Sequence, residues 1–592
     1  MNETLPFHSY PTSLDHGWAL LGMNAFPGFL AGAHFANLLF FLNPELPFSV
    51  GTLTRTALLY GALLGTFSCL LLTPFTWSKG RRAQRLLPWM ITLVLATVAI
   101  ADWVYASRYS FYLPPGIIRR MIKAAIWLTL TSLLAFYTAL LHTVHRRPYG
   151  WRSRYGLVAL ALASIYVMAE RREAFKPAIP PVPRSSAVES GQRPKLLVIG
   201  LGGGSLDAVL PLARQGRLPF FSRLLEEGVY ARPKSFTPVQ GEALWTTLAT
   251  SRLPYKHGIV SDTVYSADFL AEGVRLGLLP VFPGALLWRA LHPPQLVDAS
   301  LRRTLAAWDV LERLQFPSGI MGWPVTDPVP PDNAYAFSHR YFQGYFHGPM
   351  AQPRELAERG VLFQVDPEEI DPALLEDLDN RAPYSYLQAL AGDLWRETLT
   401  LFMLEQQPET RAIFLMLPGL AQVSRQNFGG FAAVQFSGVR RQPYLDAADL
   451  VTNYYRHLDQ FLAQLWERES GPRIFVVVSA YGFEAPEGWR KLWAQLTGGP
   501  TRGRSQRAPD GLFLMIGDGV RAGEFLEGVE LVDIMPTLLY ALGFPIARDL
   551  DGQVLTGAFS GTFLARHPLT FVPSYETLVL QEGVVTFPVP AQ

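Results

Sequence analysis

The residues whose types suit catalysis are few in this chain of 592 residues, and they lie where apolar runs begin or end. Ser205 and Asp207 follow an apolar run that ends in "GLGGG", and Glu242 precedes the stretch "ALWTTLA". Hydroxyl and carboxylate groups at such places serve as nucleophiles or as general bases. An ordinary structural role accounts better for each of them. We expect Asp207 to serve the start of a helix and Glu242 to lie in a solvated loop.

Metal-binding patterns are weak in this sequence. The single cysteine, Cys69, excludes an internal disulfide framework and any cysteine-based zinc site. His339 and His347 are eight residues apart in an aromatic-rich stretch, a spacing that gives little support for a metal ion. A net charge of +2 and a pI of about 8.5 give no large field of one sign, so we predict no nucleic-acid partner.

The first third of the chain has the composition of a membrane domain. A helix that crosses the bilayer core needs about 20 apolar residues. Four segments meet that length, and a fifth is shorter, with an interfacial or buried helix as the alternative. These segments are Gly17–Leu42, Thr56–Trp77, Leu86–Ser107, Ala124–Val144 and the shorter Tyr155–Ala169. The first segment lacks a basic region before it, which argues against a cleaved signal peptide.

Basic residues in the short connections give the orientation. The connections after the second and fourth segments carry Lys79, Arg81, Arg82, Arg85, Arg146, Arg147, Arg152 and Arg154. Those connections are predicted to be cytoplasmic. The connection between the third and fourth segments also carries basic residues, which nearly cancel the difference between the two sides. They are Arg108, Arg119, Arg120 and Lys123. We predict that the protein lies in a bacterial-type inner or plasma membrane. The basic connections predict that the chain after the fifth segment lies outside the cytoplasm.

Two polar residues lie within the predicted spans. An acid inside a membrane segment is a functional candidate, but Asp102 stands near a segment end beside Trp103 and Tyr105, which favours an interfacial position. His34 is interpreted as a hydrogen-bonding residue between helices.

A Pro- and Ser-rich stretch separates the apolar segments from a second region, in which short apolar runs alternate with amphipathic segments. We predict a membrane domain at 1–172, a linker at 173–194 and a soluble domain at 195–592. In the soluble domain, apolar runs such as "KLLVIGL" and "RIFVVVS" alternate with amphipathic helices. This alternation predicts an α/β/α sandwich with a mostly parallel central sheet, carrying insertions around 337–383.

The order of motifs resembles the alkaline phosphatase superfamily, specifically its type I phosphodiesterase/nucleotide pyrophosphatase branch. Four stretches carry the resemblance across most of Lys195–Leu555: "LLVIGLGGGSLDAVLPLARQGRLPFFSRLLEEGV", "ALWTTLATSRLPYKHGI", "AAWDVLERLQFPSGIMGWPVTDPVPP" and "VDIMPTLLYALGFPIARDLDGQVL". The resemblance implies a hydrolase or transferase with two metal ions, held by Asp and His, that activate a Ser or Thr nucleophile. His257, in "KHGI", matches a sequence motif of the family in which the histidine has a structural role.

The positions that carry this chemistry in the family are changed in this chain. Gly202 replaces the aspartate after the first strand, and Gly241 replaces the nucleophile. Ala421 and Arg425 replace an Asp and His pair, and Ala480 and Tyr481 replace another. The final histidine corresponds to Gln506 or Arg507. We therefore predict no metal, no cofactor and no catalytic residue.

The expected function is that of a membrane-anchored, inactive phosphodiesterase-like scaffold or subunit of a membrane or envelope complex. One alternative is an enzyme acting on envelope lipids or glycans through an unrecognised site, since lipoteichoic-acid synthases and lipid A phosphoethanolamine transferases have a similar arrangement of spans and domain. The other is a non-catalytic sensor of phosphate ligands, with Gly203, Gly204, Arg425 and Arg507 as anion-binding residues.

The predicted partners are the lipid bilayer and other proteins. A protein interface is predicted in the aromatic-rich stretch, because aromatic and Arg side chains are enriched at interface cores. Its residues are Arg340, Tyr341, Phe342, Tyr345 and Phe346. The alternative is that these side chains pack on the domain's own sheet.

Overall fold

The computed structural model describes most of the chain. The described residues are 13–79, 87–145, 151–168, 193–280, 288–290, 292–346, 348–378, 382–485, 501–505, 509–577, 579–581 and 584–586. They form two compact units. The first lies within Met1–Lys176 and Thr263–Leu296, and the second within Pro177–Asp262 and Val297–Gln592. The predicted linker therefore falls almost wholly outside the described residues, and its boundaries stay a prediction.

The first unit contains five helices at the N-terminal side. They are α1 Ser13–Leu42, α2 Val50–Lys79, α3 Leu87–Arg108, α4 Pro115–Val144 and α5 Trp151–Met168. Within the described residues, the first four are long and apolar enough to cross a membrane. The apolar part of α5, Tyr155–Ser164, is shorter than a membrane span, so a crossing by α5 stays a prediction.

Glycines allow α1 and α2 to approach closely. A Cβ added to Gly28 would overlap the backbone of Leu64, and one added to Gly32 would lie 2.5 Å from the backbone nitrogen of Gly61. In lipid, where no hydrophobic force holds helices together, small residues at this spacing permit close van der Waals packing. The spacing of Gly28 and Gly32 is thus a helix-packing signal that the sequence analysis did not use.

Polar side chains link the helices of the first unit. His34 of α1 lies 3.0 Å from the Ser164 hydroxyl of α5, which confirms its predicted role between helices. Asp102 is fully buried, and neither carboxylate oxygen has a hydrogen-bond partner among the described residues. The position of Asp102 near the membrane interface stays a prediction, and its side chain is buried against protein.

Thr263–Leu296, called the inserted segment below, belongs to this first unit. It contains β3 Thr263–Ser266, β4 Arg275–Leu276 and β5 Gln295–Leu296. Its apolar side chains pack with those of α1 and α2 in a common cluster. The cluster includes Phe40, Tyr60, Tyr265, Leu276 and Trp288.

The second unit is built on a nine-stranded sheet. Its strands in chain order are β1 Lys195–Leu201, β2 Val229–Ala231, β6 Ser318–Met321, β7 Tyr335–Phe337, β8 Ala351–Gln352, β9 Ala412–Leu417, β10 Arg473–Ser479, β11 Leu512–Gly517 and β12 Glu524–Leu526. Their order across the sheet is β12-β2-β11-β10-β1-β9-β6-β7-β8. The run β10-β1-β9-β6-β7 is parallel throughout. The predicted mostly parallel sheet is thereby confirmed.

Helices cover the sheet and shorter elements complete the unit. The helices are α6 Leu206–Arg214, α7 Pro219–Glu227, α8 Gly241–Thr250, α9 Pro254–His257, α10 Ala307–Arg313, α11 Arg354–Gly360, α12 Tyr384–Gln406, α13 Gly419–Ser437, α14 Gln442–Arg468, α15 Ile534–Ala541 and α16 Gly561–Arg566. The 3-10 turns are Ala299–Leu301, Tyr341–Gln343, Val361–Phe363, Pro372–Leu378, Leu531–Asp533 and Thr556–Ala558. Two small strand pairs join β13 Ile546–Ala547 to β14 Phe571–Val572 and β15 Val579–Gln581 to β16 Val584–Thr586.

The sequence explains why the central strands form. In β1, β9 and β10 nearly every residue is apolar and buried, as expected of parallel strands covered on both faces. The predicted insertion around 337–383 also contributes to the sheet, because it contains β8, which pairs with β7 at the sheet edge.

We predict that Gly32→Ala lowers the thermal midpoint of the full-length protein in detergent. The added methyl group has to separate the α1 and α2 backbones, at a cost of about 1–3 kcal/mol. Gly22→Ala is the matched control, because Gly22 lies in the same helix with nothing within 4 Å of its added Cβ. Equal midpoints for the two variants would contradict the close packing of the helices.

Candidate functional site

The carboxyl edge of the central sheet gathers the positions that the sequence analysis singled out. Gly202 follows β1, Ala421 lies in the first turn of α13 after β9, and Tyr481 follows β10. A Cβ added to Gly202 would lie 3.1 Å from the Ala421 Cβ, and one added to Gly241 would lie 4.0 Å from the Tyr481 hydroxyl. We call the space around these four residues the cleft.

Gly202 leaves little room for a side chain. Its added Cβ would lie 3.1 Å from the Pro418 Cα and 3.2 Å from the Pro418 carbonyl oxygen. These are backbone atoms, so they cannot turn aside as a flexible side chain can. A side chain at this position would require the turn after β9 to give by a few tenths of an ångström.

The residues of the cleft do not fit a pair of metal ions. Gly202, Ala421 and Ala480 offer no side-chain donor, and Arg425 brings a positive charge that repels cations. Zinc and related ions take nitrogen, oxygen or sulfur donors from several side chains at once. Within the described residues no group of three or more His, Cys, Asp or Glu side chains is placed to hold a metal. Gln506 and Arg507 lie outside the described residues.

A carboxylate occupies the start of α8, next to Gly241. The Asp262 Oδ1 accepts a hydrogen bond of 3.0 Å from the backbone N–H of Glu242. The residue before α8, Gln240, gives that helix no side-chain cap, so Asp262 satisfies one of its free N–H groups. Burial raises the pKa of Asp262, whereas this hydrogen bond and Arg425 lower it.

Glu242 is a buried acid and not part of a solvated loop, so that expectation is wrong. It lies in the first turn of α8, and its Oε2 is shielded from solvent without a hydrogen-bond partner among the described residues. Burial raises the pKa of Glu242 to about 8, and the negative charges of Asp262 and Asp327 add to the increase. Near neutral pH this carboxyl group therefore holds a proton.

A third acid, Asp327, extends this group of polar residues beyond the cleft. Asp327 is 1% exposed, and its carboxylate lies 2.8 Å from Arg340 Nε and 3.3 Å from His339 Nδ1. Burial raises the pKa of Asp327 to about 6, with Arg340 acting in the opposite direction. Burial, together with Arg340 and Arg396, lowers the pKa of His339 to about 4, so the ring is neutral. His347 lies outside the described residues.

The chain between β6 and this acid is strained. Val325 has a φ of 57°, a left-handed conformation that a β-branched residue rarely adopts. Such strain concentrates at functional sites. Asp262 and Asp327 were both missed from sequence, although Asp327 lies within one of the four stretches that carry the family resemblance.

The glycine turn after β1 is closed by its own contacts. The N–H of Gly204 donates to Leu201 O, and the N–H of Ser205 donates to the Tyr455 hydroxyl. Gly203 has a φ of 73°, and its added Cβ would overlap the Phe483 ring. Anion binding by Gly203 and Gly204 stays a prediction, but the N–H groups of Gly204 and Ser205 are already engaged.

The structural roles predicted for Asp207 and His257 agree with the contacts of these residues. The Ser205 hydroxyl accepts from the N–H of Asp207, and Asp207 lies in the first turn of α6. His257 is buried and lies 3.0 Å from the Thr247 hydroxyl. Burial lowers the pKa of His257 to about 3, as expected of a structural histidine.

The predicted interface divides into buried and exposed parts. Tyr341 and Phe342 are 2% and 8% exposed, and both pack on Trp395 within the second unit. Packing on the domain's own core, the alternative to an interface, accounts for both side chains, and an interface role for them stays a prediction. Tyr345 and Phe346 are exposed at 57% and 41%.

A groove of about 860 Å³ lies at the opposite edge of the sheet. Pro194 and Pro472, which precede β1 and β10, line it together with Tyr540, Phe544 and Phe563. This groove is remote from the cleft, and it includes none of the positions predicted from sequence.

Residues 196–491, half of the chain, match the type I phosphodiesterase / nucleotide pyrophosphatase family. The chain belongs to this family. No curated protein matches the chain significantly in a sequence search.

Solved structures of the alkaline phosphatase superfamily resemble the chain. Wild-type alkaline phosphatase PafA is 10% identical over 63% of this chain and 100% of its own, with a TM-score of 0.42. Murine ectonucleotide pyrophosphatase / phosphodiesterase 5 is 12% identical over 62% and 100%, with a TM-score of 0.35. The phosphonate monoester hydrolase of Silicibacter pomeroyi is 13% identical over 62% and 78%, also with a TM-score of 0.35.

We predict that the full-length protein loses stability between about pH 4.5 and pH 8 through Glu242. The folded-state pKa of Glu242 is raised, so the folded protein binds a proton that the unfolded chain releases as the pH rises through this window. The contribution cannot exceed about 1.4 kcal/mol per pH unit. Glu242→Gln should flatten this part of the pH profile of the thermal midpoint.

Glu226→Gln, at an exposed glutamate of α7, is the control and should leave the profile unchanged. If Glu242→Gln and the wild-type protein lose stability in parallel from pH 5 to pH 8, Glu242 is already ionised in the fold.

Proposed function

We propose that this family member is a non-hydrolytic membrane protein that serves as a scaffold or subunit of a membrane or envelope complex. The observation that supports the proposal is the tight position at Gly202, where the resemblance implies a metal ligand and an added Cβ would lie 3.1–3.2 Å from backbone atoms of Pro418. The residues around Gly202 also support a site without metal ions. Ala421, Ala480 and Tyr481 supply no ligand set for a divalent cation.

The remaining acids of the cleft also suit a metal-free site. Clustered carboxylates near cations stay ionised because the cations offset their repulsion. Here Glu242 holds a proton and Asp262 accepts a backbone hydrogen bond. Each acid thus has a means of stabilisation that requires no bound ion.

A second candidate is an enzyme of envelope lipids or glycans that uses an unfamiliar site. The array of Glu242, Asp327 and His339 favours it, since a buried acid with a pKa of about 8 is suited to donate a proton near neutral pH. A phosphate sensor is the third candidate, with Arg425 as the exposed cation beside the cleft. Arg507, its other predicted cation, lies outside the described residues.

We predict that the purified full-length protein neither binds metal stoichiometrically nor hydrolyses bis(p-nitrophenyl) phosphate above background. The assay is run in lipid nanodiscs with zinc or manganese ions, and metal content is measured by mass spectrometry. An active phosphodiesterase of the family serves as the positive control. Two bound ions per chain, or turnover that depends on added metal, would refute the proposal.

Turnover without metal would favour the second candidate, and Glu242→Gln should then abolish it. The scaffold role is tested separately, by copurification of a partner protein. A partner that copurifies in stoichiometric amount with the wild-type protein should be lost from a variant with Tyr345→Ser and Phe346→Ser. If that variant retains the partner, the interface lies at other residues than Tyr345 and Phe346.

We also propose that the phosphodiesterase-like domain lies outside the cytoplasm. The basic connections follow α2 and α4, whereas Asn43 lies at the other end of the helices, between α1 and α2. Asn43 bonds to Leu278 of the inserted segment. The chain is continuous from that segment to Asp262 and Val297, which begin the second unit on either side, and this continuity supports the proposal.

Labelling with a membrane-impermeant maleimide tests this orientation in spheroplasts. The starting protein carries Cys69→Ser. Adding Gln215→Cys, in an exposed turn of the second unit, should give labelling in intact spheroplasts. Adding Gln84→Cys, in the basic connection after α2, should give labelling only after lysis. The reverse pattern would place the domain in the cytoplasm.

A further inference from the structure

Asp102 is a buried acid in the apolar helix α3. Its side chain is 0% exposed, and neither oxygen of its carboxyl group has a hydrogen-bond partner among the described residues. It lies one turn after Val98 and Ala99 and one turn before Tyr105 and Ala106, and all four of these residues are buried. This helical spacing places Asp102 in the middle of the face of α3 that packs against protein.

Two side-chain hydrogen bonds give the register of α3 against α4. The Trp89 indole donates to the Thr143 hydroxyl, and the Trp103 indole donates to the Thr129 hydroxyl, each at 3.3 Å. The two helices therefore run antiparallel. Asp102, which precedes Trp103 by one residue, is level with the turn of α4 that follows Thr129.

That turn of α4 offers hydrogen-bond acceptors. Thr131 and Ser132 are buried, and each hydroxyl donates to a carbonyl of its own helix, to Leu128 O at 3.0 Å and to Thr129 O at 2.8 Å. A hydroxyl that has donated its single proton still has lone pairs to accept with. The turn therefore suits a protonated carboxyl group, which donates, whereas an ionised carboxylate needs donors.

Among the described residues, basic side chains lie away from this turn. Those of α3, α4 and α5 lie toward the ends of these helices: Arg108, Arg119, Arg120, Lys123, His142 and Arg152. The other titratable side chains that the described parts of α1 to α5 bury are Tyr60, Tyr105 and His34, and the last of these is bonded to Ser164. A negative charge on Asp102 therefore has no ion-pair partner within the described helices.

The ligand that such a site can hold is a proton. Burying an unpaired charge costs far more than burying a neutral polar group. A divalent metal ion requires several donor side chains, and no group of three or more His, Cys, Asp or Glu is placed to supply them in the described part of the chain. Ionisable residues within membrane segments mark the paths of protons and ions.

We propose that Asp102 is a proton-binding site of the first unit, protonated while α3 packs against α4 and ionised when that packing opens. Once the proton has left, the carboxylate needs water or another donor, and water reaches it only if the helices separate. The closed packing thus binds a proton that the open form releases, so a rising pH favours the open form. The site does not depend on the scaffold role proposed above.

Infrared spectroscopy of the full-length protein in lipid nanodiscs tests the protonation directly. A protonated carboxyl group has a carbonyl stretch that an ionised carboxylate lacks. The wild-type spectrum minus the Asp102→Asn spectrum should contain this band at pH 7. Glu45→Gln, at an exposed acid of the same unit, is the control, and its difference spectrum should contain carboxylate bands instead. If the Asp102 difference also contains only carboxylate bands, the proposal is overturned.

The stability of the first unit gives a second measurement. The reaction of Cys69, the single cysteine, with a thiol-reactive dye reports on unfolding of the helices. Between pH 6 and pH 9 the thermal midpoint of the wild-type protein should fall by about 2–4 °C relative to Asp102→Asn, because the Asn side chain stays neutral. Glu45→Gln should follow the wild-type profile. Parallel profiles for the wild-type protein and Asp102→Asn would contradict the link between proton release and opening. Should Asp102→Asn fail to fold, Asp102→Ser is read in the same way.

Discussion

Backbone contact between the turn after β1 and the turn after β9 limits what the carboxyl edge of the sheet can hold. Gly202 donates its N–H to Leu417 O at 2.9 Å, and its α-carbon faces Pro418 and Ala421. The strands on either side are parallel and run about 4.8 Å apart, so the two turns cannot separate without disturbing the ladder. A side chain at position 202 thus requires the turn after β9 to shift by a few tenths of an ångström.

The acids near this edge are stabilised in three different ways. Asp262 accepts a hydrogen bond at the start of a helix, Glu242 retains its proton, and Asp327 pairs with Arg340. Burying a carboxylate without any of these would cost several kcal/mol. The arrangement places the Asp262 carboxylate beside Gly241 and the Asp327 carboxylate beside Arg340.

The sequence predicted the fold well because strand and helix patterns depend on local residue order. The buried runs of β1, β9 and β10 are apolar throughout, and the parallel sheet followed from their alternation with helices. Placement of single polar side chains was less predictable. Glu242 was taken for a solvated residue because burial of its Oε2 depends on partners distant in sequence, such as Asp327. Tyr341 was taken for an interface residue, although Trp395, far along the chain, covers it. The place of the inserted segment was also missed, since its contacts with Asn43 span more than 200 residues.

The core of the second unit extends well beyond the residues of the cleft. The apolar side chains that fill it come from the interiors of β1, β9 and β10 and from the helices that cover them, with Ala421 of the cleft among them. The resemblance assigns the family's chemistry to residues just beyond the strand ends. Hydrophobic burial scales with apolar area, so exchanging a few polar residues at the ends leaves that contribution intact. Replacing ionised carboxylates there by Gly and Ala also removes their desolvation cost. Family membership and the predicted loss of the family's ligand residues are therefore compatible in one chain, because the fold depends largely on other residues than the predicted chemistry.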